Sequence, residues 1–340
     1  MNGIYSRMLL VFIVSATVAF GSAGLSLASE VVVYTSLDQV YSEPILKAFE
    51  KKTGIKVKAL YDVEAAKTVG LVNRLIAEKD RPKADVFWNS EVGRTIVLQR
   101  KGVLAPYKSK HWDSFPMHLK DKEYYWTGFA ARARVLIYNT KLLSDKDLPS
   151  SIFELTEPGW KGKVTIAYPV FGTTATQVAA LYSLIGPEKT ESYLRGLVKN
   201  KVTVVDGNSV TRDLVVEGAA AIGFTDNDDA QVAIAKGKPV KMLFPDRKGI
   251  GTLLIPNSVG LIKNGPNAEN GKKLIDYLLS EEVESALAFG ESAQMPLRKG
   301  IKKPASIPDI SEIRVMDINY YRVADNMERA AKFCQELFVK

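Results

Sequence analysis

The sequence predicts an α/β protein of two lobes, joined by crossing strands with a ligand cleft between them. Short apolar runs at 31–34, 55–61 and 84–88 alternate with helical patterns, and a second such series follows at 163–168, 202–205 and 220–224. Between the two series lies a long strand-like run, 126–139, and a second extended run, 251–262, carries Pro256 and brings the chain back. The expected partition is a first lobe of residues 29–131 and 250–305 and a second of 132–249 and 306–340. Open α/β sheets bind ligands beyond the carboxyl ends of their strands, so the strand ends hold the candidate site residues.

Residues 1–28 read as a secretory signal peptide: Arg7 stands near the start, an apolar run covers 8–20, and Ser26-Leu27-Ala28 has the small-x-small pattern of a cleavage site. That run falls short of the roughly 20 residues a membrane-spanning helix needs. The expectation is an exported monomer, periplasmic or otherwise extracytoplasmic. The formal charge of +8 is a modest basic balance, compatible with anionic ligands, and no dense Arg/Lys stripe with interleaved aromatics points to nucleic acid. Cys334 is the one cysteine, so no internal disulfide or lipid anchor is expected; with only His111 and His118, zinc-ligand spacing is absent too. There is no phosphate loop, nucleophile elbow, dinucleotide motif or nucleophile–base arrangement, so neither an enzyme nor a cofactor is expected.

In the first lobe, strand 31–34 runs into the polar loop Thr35-Ser36-Leu37-Asp38 and a helix with Tyr41, Ile45, Ala48 and Phe49 on one side, closed by Thr53-Gly54. Strand 55–61 leads to a loop with Asp62 and Glu64, then to a helical pattern through Leu71, Val72 and Leu75 that ends before Pro82. Strand 84–88 delivers Asn89-Ser90-Glu91 to a helix start, where an acidic side chain meets free backbone N–H groups. These three strand ends are expected to form one wall of the cleft. Residues 105–122 read as a surface loop. On the crossing strand Arg132 and Arg134 are two apart and share a face; Arg132, nearer the middle, is the one expected to enter the cleft.

In the second lobe, strand 163–168 ends in a segment where Gly172, Thr173 and Thr174 open a helix, either cradling an anion or simply capping. Asp206-Gly207-Asn208-Ser209 is a second such start. Asp226, Asp228 and Asp229 crowd three carboxylates into four positions after an apolar strand, which requires compensation by cations, ammonium groups or helix-end N–H groups. Either they decorate the helix 230–235, or they turn inward to a ligand amine or a hard metal ion. Toward the C-terminus, 270–279 reads as a helix, Ser280-Glu281-Glu282 starts another that ends at 294–297, and an amphipathic helix runs from Tyr321 through Met327, Ala330 and Phe333.

Segments 31–50, 84–91, 128–139, Asn208-Ser209, 221–229 and 251–257 together resemble the bacterial extracellular solute-binding proteins of ABC importers, in the branch that includes periplasmic ferric-ion-binding proteins. The resemblance covers nearly the whole chain after residue 28. It implies a periplasmic-binding-protein-like type II fold, a receptor that closes over a small solute and presents it to a membrane permease, and no chemical turnover. It also implies that the branch's iron-binding tyrosine pair is replaced here by Asp228-Asp229, its first-loop histidine falls at or near Asp38, its glutamate falls at Ser90 beside Glu91, and its anion-anchoring Asn-Ser pair and cleft arginine persist as Asn208-Ser209 and Arg132. Tyr320-Tyr321 lies outside the matched loop. The leading expectation is therefore an anionic or zwitterionic organic solute such as a phosphonate or phosphorylated compound. Its candidate ligands are Ser36, Asp38, Ser90, Glu91 and Arg132 on one side and Thr173, Thr174, Asn208, Ser209, Asp226 and Asp228 on the other. The alternative is ferric ion held by Asp38, Glu91, Asp228 and Asp229 with a synergistic anion.

Overall fold

The computed structural model describes residues 29–62 and 68–338; the signal-peptide reading and Glu64 lie outside the described residues. Valine-rich β1 (Glu30–Thr35) pairs in parallel with β2 (Lys56–Tyr61) and with β3 (Val86–Asn89). Parallel neighbours need crossovers, supplied by α1 (Gln39–Thr53) and α2 (Val69–Ala77). Gly54 ends α1 at φ 71°, a left-handed conformation that glycine adopts without steric cost. After β3 come α3 (Gly93–Arg100) and a two-residue strand, β4 (Leu104–Ala105).

The second unit repeats the logic with β6 (Val164–Ala167), α4 (Gly172–Ile185), α5 (Pro187–Lys199), β7 (Thr203–Val205), α6 (Asn208–Glu217), β8 (Ile222–Asp226), α7 (Asn227–Ala235) and β9 (Val240–Leu243). β6 lies between β7 and β8, parallel to both. Between the units, all thirteen residues of β5 (Thr127–Asn139) are buried because it serves both: Thr127–Ala133 pairs with β10 (Leu254–Ile262), and Arg134 onward pairs with β8 and β9. The strand order is β2-β1-β3-β10-β5-β8-β6-β7, and the chain's two lobes meet at β5. Helices α8 (Ala268–Leu278) and α9 (Glu281–Phe289) follow β10; α8 buries Leu274, Ile275 and Leu278, the spacing of one helical face. The last helix, α10 (Tyr320–Leu337), packs mainly on α4 and also on α3.

Three local expectations need correction. Strands β4 and β9 are additional, and their two and four residues are too short to show a period. Segment 105–122 is not a plain surface loop: Trp112, Phe115 and Leu119 are buried, and Lys120 donates to the Trp112 carbonyl at 2.8 Å with its ammonium 3.7 Å from that indole's ring centroid. The helix after Ser280 stops at Phe289, before Gly290, well short of 294–297.

At the second crossing, Gly251 has φ 84°, and a Cβ there would stand 2.7 Å from the Arg314 carbonyl oxygen, beside the backbone that bridges Thr252 to Val315. Gly251→Ala is expected to destabilise the fold by about 1–3 kcal/mol, read as a lower urea midpoint.

Candidate functional site

The strand ends converge on a cavity of 220 Å³. Asp38 and Ser90 line it from the first unit and Arg132 from β5, while the second unit contributes residues 167–168, 171–174 and 206–209 with Asp228 and Asp229. A wider polar groove of 1020 Å³ lies between residues 117–126 and the start of α10, away from these strand ends.

The floor is built by register. Arg134 stands directly opposite Asp226 in the antiparallel β5–β8 pair, and Arg134 Nη1 donates to Asp226 Oδ1 at 2.8 Å. Two residues along β5, on the same face, Arg132 Nη1 approaches Asp226 Oδ2 at 3.3 Å and Asp228 Oδ2 at 4.0 Å. Thr173 Oγ1 donates to Asp226 Oδ2 at 2.7 Å, and Asn208 Nδ2 donates to the same oxygen at 3.1 Å, tying the starts of α4 and α6 to one carboxylate. Arg134 also lies 4.5 Å from the Phe224 ring centroid. Burial alone would raise the Asp226 carboxyl, yet Arg134 and Arg132 hold it below its ordinary value. Asp226 is therefore a wholly buried anchor for two arginines and two helix starts. Its oxygens are engaged by these partners, and it is not among the residues that line the cavity.

The wall above is acidic. Asp228 is buried and is pushed up to about 7, first by loss of hydration, with Asp226 and Asp38 adding to the shift and Arg132 opposing it. Its Oδ1 accepts from the backbone N–H of Asp229 at 3.0 Å, and Arg212 Nη1 lies 3.8 Å from Asp229 Oδ1. One oxygen from each of Asp226, Asp228 and Asp229 lies within 4.8 Å of the others. Asp38 faces this group from the start of α1, and Tyr41, one turn on, has its phenol raised by burial and by the charges of Asp228, Asp229 and Asp38.

Opposite the acids, Gly172, Thr173 and Thr174 open α4 and Gly207, Asn208 and Ser209 open α6. Neither helix has a side-chain cap, so plain capping by Thr173 or Thr174 is not what the structure contains. The N–H groups of a helix start favour an anion. Arg132 Nη2 donates to the Ser90 carbonyl, while the buried Arg132 Nε has no acceptor among the described residues.

Two further expected residues lie off the cavity. Ser36 is buried and donates to Asn89 Oδ1 at 2.6 Å. Glu91 is wholly buried and receives the Arg94 backbone N–H at 2.9 Å and Asn89 Nδ2 at 3.0 Å, so its carboxylate is engaged at the start of α3 and does not line the cavity. Asp38, Ser90, Arg132, Thr173, Thr174, Asn208, Ser209 and Asp228 do line the cavity, as does Asp229. Tyr168, Phe171 and Asp206 were not among the candidates; Tyr168 and Asp206 each follow a strand by one residue, so the strand-end rule applied uniformly would have found them.

Residues 82–322 match the family described as bacterial extracellular solute-binding protein. The chain belongs to this family. Iron uptake protein A1 of Synechocystis sp. (strain ATCC 27184 / PCC 6803 / Kazusa) is 27% identical over 319 residues, covering 90% of this chain and 86% of that protein. A relative from Salmonella typhi, provisionally named as a 2-aminoethylphosphonate-binding periplasmic protein, is 29% identical over 295 residues and 81% of each chain. Among solved structures, the apo ferric ion-binding protein A of Pasteurella haemolytica superposes with a TM-score of 0.82 at 26% identity, covering 92% of this chain and all of that one. As a member of this family, related to its ferric-binding-protein branch, the solute-binding protein described here works outside the cytoplasm. It is the receptor of an ABC importer, handing a small solute to a membrane permease without catalysis.

Proposed function

We propose that the solute is ferric ion, held by carboxylates with an accompanying anion. The observation that carries this reading is the charge balance of the cavity: Asp38, Asp206, Asp228 and Asp229 line it against a single lining arginine, Arg132, while Asp226 and Arg134 offset each other below. This revises the leading expectation from the sequence. A phosphonate would add negative charge to a cavity that is already acidic, whereas a hard trivalent cation takes oxygen ligands and relieves the repulsion that raises Asp228. Asp228, Asp229 and Asp38 supply the oxygens in this reading, with Tyr168 on the same cavity, and the starts of α4 and α6 with Arg132 receive the anion. Relatives named for iron uptake and ferric binding support it.

The test is metal and phosphorus analysis of natively purified protein, followed by titration of the stripped protein with ferric ion buffered by a competing chelator, with and without inorganic phosphate. One iron per chain and tighter binding in the presence of the anion are expected. Phosphorus without iron in the purified protein, and no ferric uptake on titration, would move the assignment to a zwitterionic phosphonate with its amine on Asp228 and its phosphonate on the helix starts.

A further inference from the structure

Outside the solute cavity, one half-buried charge has no evident use. Arg94 stands in the first turn of α3, on the first lobe, and its side chain reaches across to the second lobe, where Nη2 donates to the Val170 carbonyl at 3.4 Å, a long bond. Val170 lies between Tyr168 and Phe171, which both line the cavity. The other terminal nitrogen, Nη1, is buried and has no acceptor among the described residues. The carboxylates that act on this guanidinium are Glu91 and Asp62, and both have other bonds: Glu91 accepts from Arg94's own backbone N–H and from Asn89, and Asp62 accepts from the Thr68 N–H at 2.6 Å. Loss of hydration therefore dominates, and it holds the guanidinium below its ordinary pKa despite the two acids. With the lobes together, Nη1 is dehydrated without an acceptor among the described residues and Nη2 keeps one long hydrogen bond. With the lobes apart, water would solvate both fully.

We propose that Arg94 holds the empty receptor open: closure without solute dehydrates part of its guanidinium with too few acceptors, and solute binding must outweigh that cost. The device acts between lobes and does not depend on which solute the cleft takes. A charge dehydrated at a closing interface disfavours the closed state in proportion to what it loses, and removing it shifts the open–closed equilibrium toward closed. A receptor biased open when empty would not present a solute-free closed form to its permease.

Solute-stripped wild type, Arg94→Met and Arg94→Lys are compared by small-angle scattering and by a fluorophore pair placed one on each lobe. Arg94→Met keeps length without charge and is expected to raise the closed fraction of the empty protein by about tenfold or more. Arg94→Lys keeps a cation at the lobe boundary and is expected to stay open like wild type. An Arg94→Met protein as open as wild type, or more so, overturns the proposal and makes the Val170 bond a latch that favours closure. A lysine variant that closes like the methionine one also overturns it, since charge would not be the cause. Should Arg94→Met fail to fold, judged by its thermal transition, Arg94→Gln carries the same expectation. All readouts use stripped protein, so they stand whether or not ferric ion is the cargo.

Discussion

Asp226→Ala is expected to be the most damaging single substitution in the molecule, lowering stability by about 3–5 kcal/mol, because it leaves two buried guanidinium groups without their shared counter-ion. Arg134 and Asp226 are both wholly buried and Arg132 nearly so, and the same carboxylate also receives Thr173 and Asn208. The loss would be read from urea unfolding, alongside solute affinity, which should fall as the starts of α4 and α6 come apart. Asp226→Asn keeps the volume and one acceptor oxygen and should lie between wild type and Ala. A stability loss below about 1 kcal/mol for Asp226→Ala would mean that water reaches the arginines and that the network is not the anchor described above.

The second large effect concerns Asp228 and pH. Its carboxyl is pushed up to about 7 in the empty protein, against an ordinary value of 3.8. Between those values the folded, empty state holds a proton that the unfolded chain has released. Stability from this group is therefore greatest at low pH and is lost as pH rises through the window up to about 7. Binding runs the other way: a metal needs the carboxylate, so ferric affinity should weaken by up to about tenfold per pH unit below about 7. Asp228→Asn should flatten the stability slope and cut ferric affinity sharply while the fold survives. The ratio of wild-type to variant affinity, taken at each pH with the same chelator, cancels the chelator's own titration. A ratio that stays near one at pH 8 would remove Asp228 from the metal site and with it the main support for the ferric reading.

Much of the architecture was legible in the chain because it rests on local periodicity. The valine-rich run at β1, the apolar face of α8 and the long strand through Arg132 and Arg134 each declare themselves within a dozen residues, and burial of a repeating face is a local pattern. The strand-end rule then pointed to the cavity, and Asp38, Ser90, Arg132, Thr173, Thr174, Asn208, Ser209 and Asp228 all line it. Sequence could not assign the partners of charged side chains, since these depend on register between segments distant in the chain. Arg134 and Asp226 are 92 residues apart, and only the β5–β8 register sets them opposite each other. That pairing engages one acid and one base with each other, and Glu91 is likewise engaged by the Arg94 N–H at the start of α3. Counting charges along the chain suggested an anion site. Counting only the charges that line the cavity gives four carboxylates, Asp38, Asp206, Asp228 and Asp229, against one arginine, Arg132, because strand register places Arg134 and Asp226 against each other instead of on the lining.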